Sequence, residues 1–509
     1  MDLERRARVT LLSNVRCSVA FSYPGWKSKS ARKERTRVLN LLDDALAIDQ
    51  KGAHYMESVQ EGRWDGRRHV FHKNEDDGTF PAGITRRVKT LLREAGYKVM
   101  RTRDERARRH QDGVNSPQEG RARSVVELEI SDDMLAGVTL RDDQMRVIAA
   151  ALEAGCGLAH VATGGGKTEI AAAIIKALAD RRCLFLVHTK TLLRQARERL
   201  AERLGTIEEH IGVIGDGKFD PKHITVAMVQ SLTRARGEAQ KRIIAKYLKT
   251  IDLLFLDETH HASAKTFYRL VQRIDAPWRY GLSGTPFGLA DGKGLLVEAA
   301  FGPVVERVTN EELIGLGVNA KPTIRMLEVT EPKLDADLDW QSVYKEGIVL
   351  NDTRNAMISR EALRFAEKEW PTLVLVRELW HGDKIASDLN GLGVKHAFVH
   401  GQMSTDEVER RKEAFVAMKI AVLIASPIFG EGVDIPADEN FPGIRGLVIA
   451  DGGQSVANVL QKIGRGLRRK KGDNRLHVVD FADTTHKWLA RHSQERLALY
   501  ESEGFEVIV

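Results

Sequence analysis

Apolar and polar residues alternate along this chain in two separate series of short apolar strands and amphipathic helices. The first series runs from about residue 133 to Pro303, and the second from Thr372 to Val479. The predicted strands are Gly157–Val161, Cys183–His188, Thr225–Val229 and Leu253–Asp257, then Thr372–Val376, Ala397–His400, Ala421–Ala425, Gly446–Ile449 and Leu476–Val479. Strands that alternate with helices predict a parallel sheet covered on both faces. The predicted fold class is α/β, with two doubly wound parallel-sheet domains in tandem, joined across about residues 305–340.

A smaller α+β region precedes the first series. Its predicted elements are the strands Val9–Leu12 and Cys17–Phe21, the helices Thr36–Ile48 and Ile84–Ala95, and a strand that begins at Val70. Residues 101–123 are rich in arginine and turn-forming residues, which is typical of a linker. We therefore predict a small basic domain with its linker at residues 1–125 and larger domains at 126–320 and 321–509. The larger domains are expected to fold without the small one.

The charge of the chain is unevenly placed. Its 509 residues are enough for three domains of roughly 150 residues each, and its net charge is +7. Residues 1–130 hold 27 Lys and Arg against 19 Asp and Glu, so the remainder is nearly neutral. A basic region of this kind favours a nucleic-acid partner, because Lys and Arg displace counterions from phosphate backbones. The alternative is a basic surface that is merely solvated.

Membrane and secreted classes are disfavoured. The longest apolar runs are strand-sized, well below the roughly 18 residues that cross a membrane, and residues 1–6 lack the apolar core of a signal peptide. The 3 cysteines are an odd number without metal-ligand spacing, so neither a disulfide framework nor a zinc site is expected. We predict a cytoplasmic protein without a membrane partner.

Residues 161–168 read Val-Ala-Thr-Gly-Gly-Gly-Lys-Thr, between an apolar strand and an amphipathic helix. This is the composition and context of a phosphate-binding loop. Glycine lets backbone N–H groups turn towards phosphates, and the helix N-terminus adds its positive dipole end. We expect Lys167 to reach the β- and γ-phosphates of a nucleoside triphosphate and Thr168 to ligate Mg²⁺. The loop offers three glycines for the phosphates, Gly164, Gly165 and Gly166.

An acidic pair follows the apolar run Leu253–Leu256. A buried parallel strand delivers the residues after it to the ligand edge of the sheet. Asp257 is placed there to hold Mg²⁺, and Glu258 is the natural base for the attacking water. The pair is weak evidence by itself, and its spacing after Lys167 makes it strong.

Residues 461–468 read Gln-Lys-Ile-Gly-Arg-Gly-Leu-Arg. On a helix, Arg465 and Arg468 would point in one direction, since they are three residues apart. Arginines that reach a γ-phosphate neutralise transition-state charge. The alternative is an ordinary basic helix face, because Arg469, Lys470 and Lys471 follow.

These motifs together resemble those of superfamily 2 helicases, over roughly residues 138–482. The resemblance is also carried by Leu140–Gln144, His188–Lys190, Ala227–Leu232, Ser283–Thr285, His400–Gly401 and Ser426–Pro436. Residues 257–260, Asp-Glu-Thr-His, resemble the DEAH box, with Thr259 in place of its alanine. Leu140–Gln144 resembles the adenine-reading motif, with Asp143 where an aromatic residue is commoner. The family implies two RecA-like domains and an ATP-driven motor.

The resemblance also implies roles for individual residues. It assigns nucleotide contacts to Gln144, Gly432 and Asp434, and a catalytic role to Gln461. The residues that would couple hydrolysis to movement are His260, Ser283 and Thr285. Those that would contact DNA are His188, Lys190, Gln230, Ser231, His400 and Ser426.

Within the superfamily, the chain is most similar to phage UvsW-type repair helicases and their XPB-like relatives. Trp64-Asp65-Gly66-Arg67 resembles a segment of the small N-terminal domain of the phage enzymes, and Asn351–Asn355 resembles a short motif before their second motor domain. The likeness implies DNA contacts for Trp64 and Arg67. The alternative for Trp64 is a core tryptophan of the small domain.

The function that these patterns favour is an ATP-dependent DNA helicase or branch-migrating translocase of recombination, repair or replication restart. Its partner would be forked, branched or junction DNA, and its location the host cytoplasm if a phage encodes it. Two alternatives stay open. One is a double-strand DNA translocase that does not separate strands, as a motor subunit of a restriction or remodelling assembly. The other is an ATP-gated nucleic-acid clamp or sensor.

Overall fold

The computed structural model describes the chain in ten stretches, which are residues 5–22, 28–50, 52–105, 130–235, 237–259, 265–284, 293–426, 441–452, 456–470 and 472–508. They form two compact units. The first contains residues up to 160 together with 167–307, and the second contains 161–166 together with 308–509.

The first unit begins with a small mixed sheet. The strands of this region are β1 (Arg6–Leu11), β2 (Arg16–Ser22), β3 (Ala47–Asp49), β4 (Arg67–His69), β5 (His72–Lys73), β6 (Asp77–Pro81), β7 (Lys98–Val99) and β8 (Arg103–Asp104). Strands β3 and β4 pair with each other in a separate two-stranded sheet. The strand order is β5-β6-β2-β1-β7, and β8 also pairs with β1. The accompanying helices are Lys29–Ala45, Glu57–Gln60 and Thr85–Glu94.

Two predicted elements of this region are wrong in detail. The first long helix begins at Lys29, where the Ser28 hydroxyl caps it by accepting from the N–H of Ala31 at 3.1 Å. It ends at Ala45, and the next residues form β3 rather than more helix. Val70 and Phe71 lie between β4 and β5 instead of in a strand. Both are buried, so their apolar character reflects the core rather than strand pairing.

The small sheet shares its apolar core with the rest of the first unit. Leu296 and Ala299 of the helix Lys293–Phe301 belong to the same buried cluster as Val88 and Leu92 of the small domain. The closeness is greatest at Gly83, where an added Cβ would lie 2.1 Å from the carbonyl oxygen of Glu298. The larger part of the unit therefore packs against the small domain, and the expectation that it folds without that domain stays a prediction.

The rest of the first unit is built on an eight-stranded sheet. Its strands are β9 (Cys156–Val161), β10 (Cys183–Val187), β11 (Gly212–Gly215), β12 (Lys218–Asp220), β13 (Ile224–Met228), β14 (Leu253–Leu256), β15 (Trp278–Ser283) and β16 (Val304–Val308). The order is β12-β11-β13-β10-β14-β15-β9-β16. All pairings from β11 to β9 are parallel, and β12 is antiparallel to β11. Its helices are Asp142–Ala154, Lys167–Ala177, Lys190–Leu204, Val229–Thr233, Glu238–Leu248, Lys265–Gln272 and Lys293–Phe301.

Strand β15 shows why the apolar pattern missed part of this sheet. All six residues of the strand are buried although the sequence contains Arg279 and Gly281. The guanidinium of Arg279 donates to the carbonyl oxygens of Ile274 at 2.5 Å and Ala300 at 2.7 Å. These bonds satisfy a buried cation that sequence reasoning would place at the surface.

The second unit contains a seven-stranded sheet. Its strands are β17 (Lys321–Val329), β18 (Thr372–Leu375), β19 (His396–Val399), β20 (Val422–Ala425), β21 (Gly446–Ile449), β22 (Arg475–Asp483) and β23 (Glu506–Ile508). The order is β19-β20-β18-β21-β22-β17-β23, with every pairing parallel. Its helices are Asn310–Gly315, Trp340–Tyr344, Asp352–Glu367, Leu379–Gly391, Thr405–Val416, Val456–Gly466 and Lys487–Ser502, with a π-helical turn at Lys345–Val349.

The predicted connection across about residues 305–340 contains β17, which the apolar pattern did not mark as a strand. This strand pairs with β22 over nine residues, and its buried residues are Pro322, Ile324, Met326 and Val329. Because polar residues lie on its other face, the strand is not a continuous apolar run, and the apolar pattern of the sequence does not reveal it.

The predicted fold class is confirmed: two largely parallel α/β sheets follow a small α+β domain. The predicted boundaries at residues 125/126 and 320/321 stay predictions. Among the described residues, no helix is both long and apolar enough to cross a membrane.

Candidate active site

The carboxyl ends of the parallel strands in the first unit bring several predicted site residues to one edge of the sheet. His188 follows β10, Asp257 follows β14 and Ser283 ends β15, and these three strands are direct or next-but-one neighbours. The phosphate loop leaves the end of β9, which pairs with β15. Ligands of open α/β sheets bind at this edge, so the topology supports the sequence assignment.

The phosphate loop has the backbone that its glycines allow. Gly164 and Gly166 have φ angles of +87° and +86°, which residues with a Cβ rarely adopt. The N–H of Gly165 donates to the carbonyl oxygen of Ala162 at 3.0 Å and closes the turn. The helix Lys167–Ala177 starts directly afterwards, so the N–H groups of its first turn, which have no acceptor within the helix, stand next to the loop.

Lys167 and Glu258 meet at the centre of this edge. The Nζ atom of Lys167 lies 3.7 Å from Oε1 of Glu258, and both side chains are less than one-fifth exposed. Glu258 has φ +48°, a strained backbone for a residue other than glycine. Its N–H donates to a carboxylate oxygen of Asp257 at 3.0 Å. The lysine and the acidic pair therefore form one charged cluster.

The chemistry of Asp257 fits a cation ligand. Burial and then the neighbouring Glu258 carboxylate raise the pKa of Asp257, against the opposing effects of Lys167 and the hydrogen bond from Glu258 N–H. A divalent cation would remove that penalty on the charged form. Thr168, the other predicted Mg²⁺ ligand, is partly buried in the first turn of the helix Lys167–Ala177. Magnesium needs few protein ligands when phosphates supply others.

Thr259 links the acidic pair to the next strand. Its hydroxyl lies 2.7 Å from the carbonyl oxygen of Leu282 and 3.1 Å from that of Leu256, and the residue is fully buried. Leu282 precedes Ser283, which is also fully buried. The threonine that replaces alanine in the DEAH box thus has a structural partner. His260 and Thr285, the other two predicted coupling residues, lie outside the described residues.

Gln144 stands at the start of the helix Asp142–Ala154. Its Oε1 accepts from the N–H of Arg141 at 3.0 Å, as in a capping box. Both carboxylate oxygens of Asp143 accept from the Arg141 guanidinium at 2.8 Å. Asp143 is therefore engaged with Arg141 at the position where an aromatic residue would stack.

The predicted DNA contacts of the first unit differ in exposure. Lys190 is exposed and lies 2.5 Å from Asp216, and the Lys190 ammonium lowers the pKa of that carboxyl. Gln230 is exposed and Ser231 is partly buried, both in the short helix Val229–Thr233. His188 is partly buried beside the acidic pair, where it contributes to the electrostatics of Asp257.

Trp64 and Arg67 have partners within the small domain. The indole N–H of Trp64 donates to the carbonyl oxygen of Arg67 at 2.9 Å. The Arg67 guanidinium lies 3.1 Å from Asp44 and 3.2 Å from Asp49. These contacts favour a structural role for the segment, and DNA contact stays a prediction.

In the second unit, His400 and Ser426 follow the ends of the paired strands β19 and β20. The N–H of Ser426 donates to the carbonyl oxygen of Val399 at 3.1 Å, so the two residues lie at the same level of the sheet edge. Gly432 and Asp434, the predicted nucleotide contacts between β20 and β21, lie outside the described residues.

The predicted arginine motif is only partly helical. The helix Val456–Gly466 ends two residues before Arg468, and Arg468 instead forms an antiparallel bridge with Asn319. The expectation that Arg465 and Arg468 share one helix face is therefore wrong. The reason is a contact with a distant part of the chain, because the carbonyl oxygen of Leu467 accepts from the N–H of Ala320 at 2.6 Å and draws the chain into strand pairing. The side chains of Gln461 and Arg465 lie outside the described residues.

The phosphate loop and the arginine motif touch inside the second unit. An added Cβ at Gly464 would lie 2.6 Å from Cγ2 of Thr163, so only glycine allows this approach. Asn319, which sequence reasoning missed, bonds to Thr163 as well. Nothing in the sequence marks Asn319, a single asparagine after a short helix, as part of a site.

Two family matches cover the motifs of both large sheets. Residues 137–288 match the family described as type III restriction enzyme, res subunit, and residues 358–470 match the helicase conserved C-terminal domain. The chain belongs to the superfamily 2 helicases. It is an enzyme of the helicase and ATPase class, as predicted.

The relatives of this helicase include cellular and phage proteins. It is 28% identical over 395 residues to the DNA 3′-5′ translocase XPB2 of Sulfurisphaera tokodaii, covering 70% of this chain and 85% of that protein. It is 22% identical over 502 residues to the ATP-dependent DNA helicase uvsW of Enterobacteria phage T4, covering 92% and 94%. The predicted likeness to UvsW-type and XPB-like helicases is confirmed.

A solved structure shows the same fold. It is the fragment structure of an HsdR subunit of a type I restriction enzyme from Vibrio vulnificus, with a TM-score of 0.51 and 19% identity. The match covers 72% of this helicase and 66% of that chain.

Proposed function

We propose that this helicase is an ATP-driven DNA motor that acts on branched DNA in recombination, repair or replication restart. The observation that carries the proposal is the cluster of Lys167, Asp257 and Glu258 at the carboxyl edge of the sheet, with Lys167 and Glu258 at 3.7 Å. A lysine beside a partly buried acidic pair, next to a phosphate loop, is suited to nucleotide hydrolysis.

Each residue of the cluster has a distinct role in this proposal. Lys167 binds the β- and γ-phosphates, and Glu258 accepts the proton of the attacking water. Thr168 and Asp257 hold Mg²⁺, which supplies charge neutralisation at the phosphates when bound. Arg465 and Arg468 neutralise charge in the transition state, and the approach of Gly464 to Thr163 supports that role for the segment that carries them.

DNA is the proposed polymer for two reasons. The N-terminal 130 residues carry an excess of basic side chains, 27 against 19 acidic ones, as phosphate-backbone binding requires. The similar proteins from Sulfurisphaera tokodaii and phage T4 are named as a DNA translocase and a DNA helicase. A phage-encoded protein of this kind would act in the host cytoplasm.

The test compares ATP hydrolysis and strand separation on single strands, duplexes, forks and four-way junctions. We expect the fork and junction to stimulate ATPase and to be unwound or branch-migrated. Lys167→Ala should abolish hydrolysis, whereas Lys246→Ala, an exposed lysine on a remote helix, should not. Glu258→Gln should bind ATP and DNA but barely hydrolyse. Normal ATPase in Lys167→Ala would contradict the active-site assignment.

A second candidate is a double-strand DNA translocase that does not separate strands. It is favoured by the match of residues 137–288 to the res subunit of type III restriction enzymes and by the structural likeness to an HsdR subunit. Displacement of a triplex-forming strand from duplex DNA, without unwinding of any fork, would support this candidate. DNA-stimulated ATPase without either activity would support an ATP-gated clamp.

A further inference from the structure

Asn319 occupies a buried position against the phosphate loop. It lies between the helix Asn310–Gly315 and strand β17, and it is only 1% exposed. Its side-chain Nδ2 donates to the carbonyl oxygen of Thr163 at 2.8 Å. Its Oδ1 fills the space beside Gly164, where an added Cβ would lie only 2.4 Å away. The asparagine side chain therefore lies against two consecutive residues of the loop, Thr163 and Gly164.

The backbone of the same residue is bound to the arginine motif. Asn319 forms an antiparallel bridge with Arg468, and the next residue, Ala320, donates to the carbonyl oxygen of Leu467. The side chain of Asn474 donates to the carbonyl oxygen of Asn319 at 3.1 Å. The Oδ1 of Asn474 in turn accepts from the N–H of Lys470 at 2.9 Å. One residue thus contacts the loop through its side chain and the segment 467–470 through its backbone.

The chemistry of the amide suits this place. Its donor goes to the carbonyl oxygen of Thr163, which ties the side chain to the loop backbone. The amide is neutral, so it adds no negative charge beside a polyphosphate. An aspartate of the same size could not donate to the Thr163 carbonyl and would repel the nucleotide. Because a buried donor or acceptor without a partner is unfavourable, the loop and the segment 467–470 are held in one arrangement.

We propose that Asn319 is a positioning residue that couples the conformation of the phosphate loop to the placement of Arg468. The inference rests on the proposed nucleotide hydrolysis. A change at Asn319 would misplace Arg468 without removing a group that touches the phosphates. Misplacement by about 1 Å costs on the order of 100-fold in rate in other enzymes, so turnover rather than nucleotide affinity should fall.

The experiment compares Asn319→Ala, Asn319→Asp and the control Asn390→Asp, an exposed asparagine near the end of the helix Leu379–Gly391. The measurements are kcat and KM for ATP with saturating DNA, the Kd for ADP, and the melting temperature. Asn319→Ala should lower kcat by about 10- to 100-fold with KM and Kd within about threefold of the unaltered protein. Asn319→Asp should lose kcat and also weaken ADP binding by at least about tenfold, because it adds charge. Asn390→Asp should change none of these.

Asn474→Ala provides a second variant that leaves the loop contact intact. It removes the hydrogen bond to the Asn319 carbonyl, so kcat should fall while ADP affinity stays unchanged. It also serves if Asn319→Ala does not fold. Unchanged kcat in folded Asn319→Ala, or in Asn474→Ala if the first variant is unfolded, overturns the inference. Equal loss of ADP affinity in Asn319→Ala and Asn319→Asp overturns it too.

Failure of the proposed function has a different signature. If the unaltered protein hydrolyses no ATP with any DNA, the motor proposal fails. In that case ADP binding still tests whether Asn319 lies against the phosphate loop. Equal ADP affinities of Asn319→Ala and Asn319→Asp would show that it does not.

Discussion

The hydroxyl of Thr259 lies 2.7 Å from the carbonyl oxygen of Leu282, which joins the residue after the acidic pair to the strand that ends at Ser283. Gly281 makes room for this contact, because an added Cβ there would lie 2.7 Å from Cγ2 of Thr259. The bond connects two motifs that sequence reasoning assigned separately to hydrolysis and to coupling.

Removal of the Thr259 hydroxyl should weaken the coupling between DNA binding and ATP hydrolysis. Thr259→Val keeps the shape and leaves the Leu282 carbonyl without this donor, which should cost about 1 kcal/mol in the free energy of unfolding. We expect DNA stimulation of ATPase to fall while KM for ATP is nearly unchanged. Thr259→Ser keeps the hydroxyl and should behave as the unaltered protein. A valine variant with normal stability and normal DNA stimulation would show that the bond carries no coupling.

Arg468 gives a direct test of the arginine motif. Arg468→Ala should lower kcat by roughly 10³-fold, as loss of an arginine that stabilises the transition state does in other nucleotide hydrolases. KM for ATP should change far less, because the interaction forms mainly in the transition state. Arg469→Ala is the matched control, since the neighbouring residue is exposed. Equal effects of the two substitutions would point to an ordinary basic surface.

The contact between the small domain and the helix Lys293–Phe301 should be sensitive to added volume at Gly83. Gly83→Ala places a Cβ 2.1 Å from the Glu298 carbonyl oxygen and should destabilise the first unit by about 1–3 kcal/mol. Gly391→Ala, where an added Cβ meets nothing within 4 Å, is the control. Thermal unfolding followed by circular dichroism measures both. If the two variants melt alike, the contact at Gly83 yields more easily than its geometry indicates.

Deletion of residues 1–125 should expose apolar residues of the first unit that pack against the small domain. Leu296 and Ala299 are buried together with the small domain, so the truncated chain should aggregate at concentrations where the full chain does not. Replacement of Leu296 by Glu in the truncated chain should improve its soluble yield. A truncated chain that is as soluble and stable as the full chain would contradict this prediction and support the expectation that the larger domains fold without residues 1–125.

His69 predicts a pH dependence in the small domain. Its two ring nitrogens lie 2.6 Å from Asp43 and 2.7 Å from Asp65, and Lys73 also pairs with Asp43. Burial opposes the charge, but hydrogen bonds to Asp65 and Asp43 raise the pKa of His69 above 6.5. A raised histidine pKa stabilises the fold below the unfolded pKa, and this contribution is lost as the pH rises through the folded value.

The measurement is the melting temperature between pH 6 and pH 8.5. We expect it to fall over this range, and His69→Gln should reduce the slope. Titration of the His69 ring by NMR gives the pKa directly. A value at or below 6.5 would contradict the argument, since the two carboxylates would then not favour the charged ring.

The sequence by itself determined the α/β class, the phosphate loop and the acidic pair. Buried parallel strands are short continuous apolar runs, so β9, β10 and β14 stand out, and the residues that follow them are fixed by the chain to the same edge of the sheet. Phosphate binding needs glycine and lysine at adjacent positions, so its signal is local.

Only the tertiary structure decided which distant residues meet. β15 contains a buried arginine that is satisfied by carbonyl oxygens of other segments, and β17 exposes a polar face, so neither has a local signature. The end of the helix before Arg468 depends on pairing with Asn319, and the fit of Asn319 to Gly164 depends on folding of the second unit. Hydrogen bonds between residues more than a hundred positions apart leave no periodic pattern in the sequence, because the chain reaches them only through the packing of whole sheets.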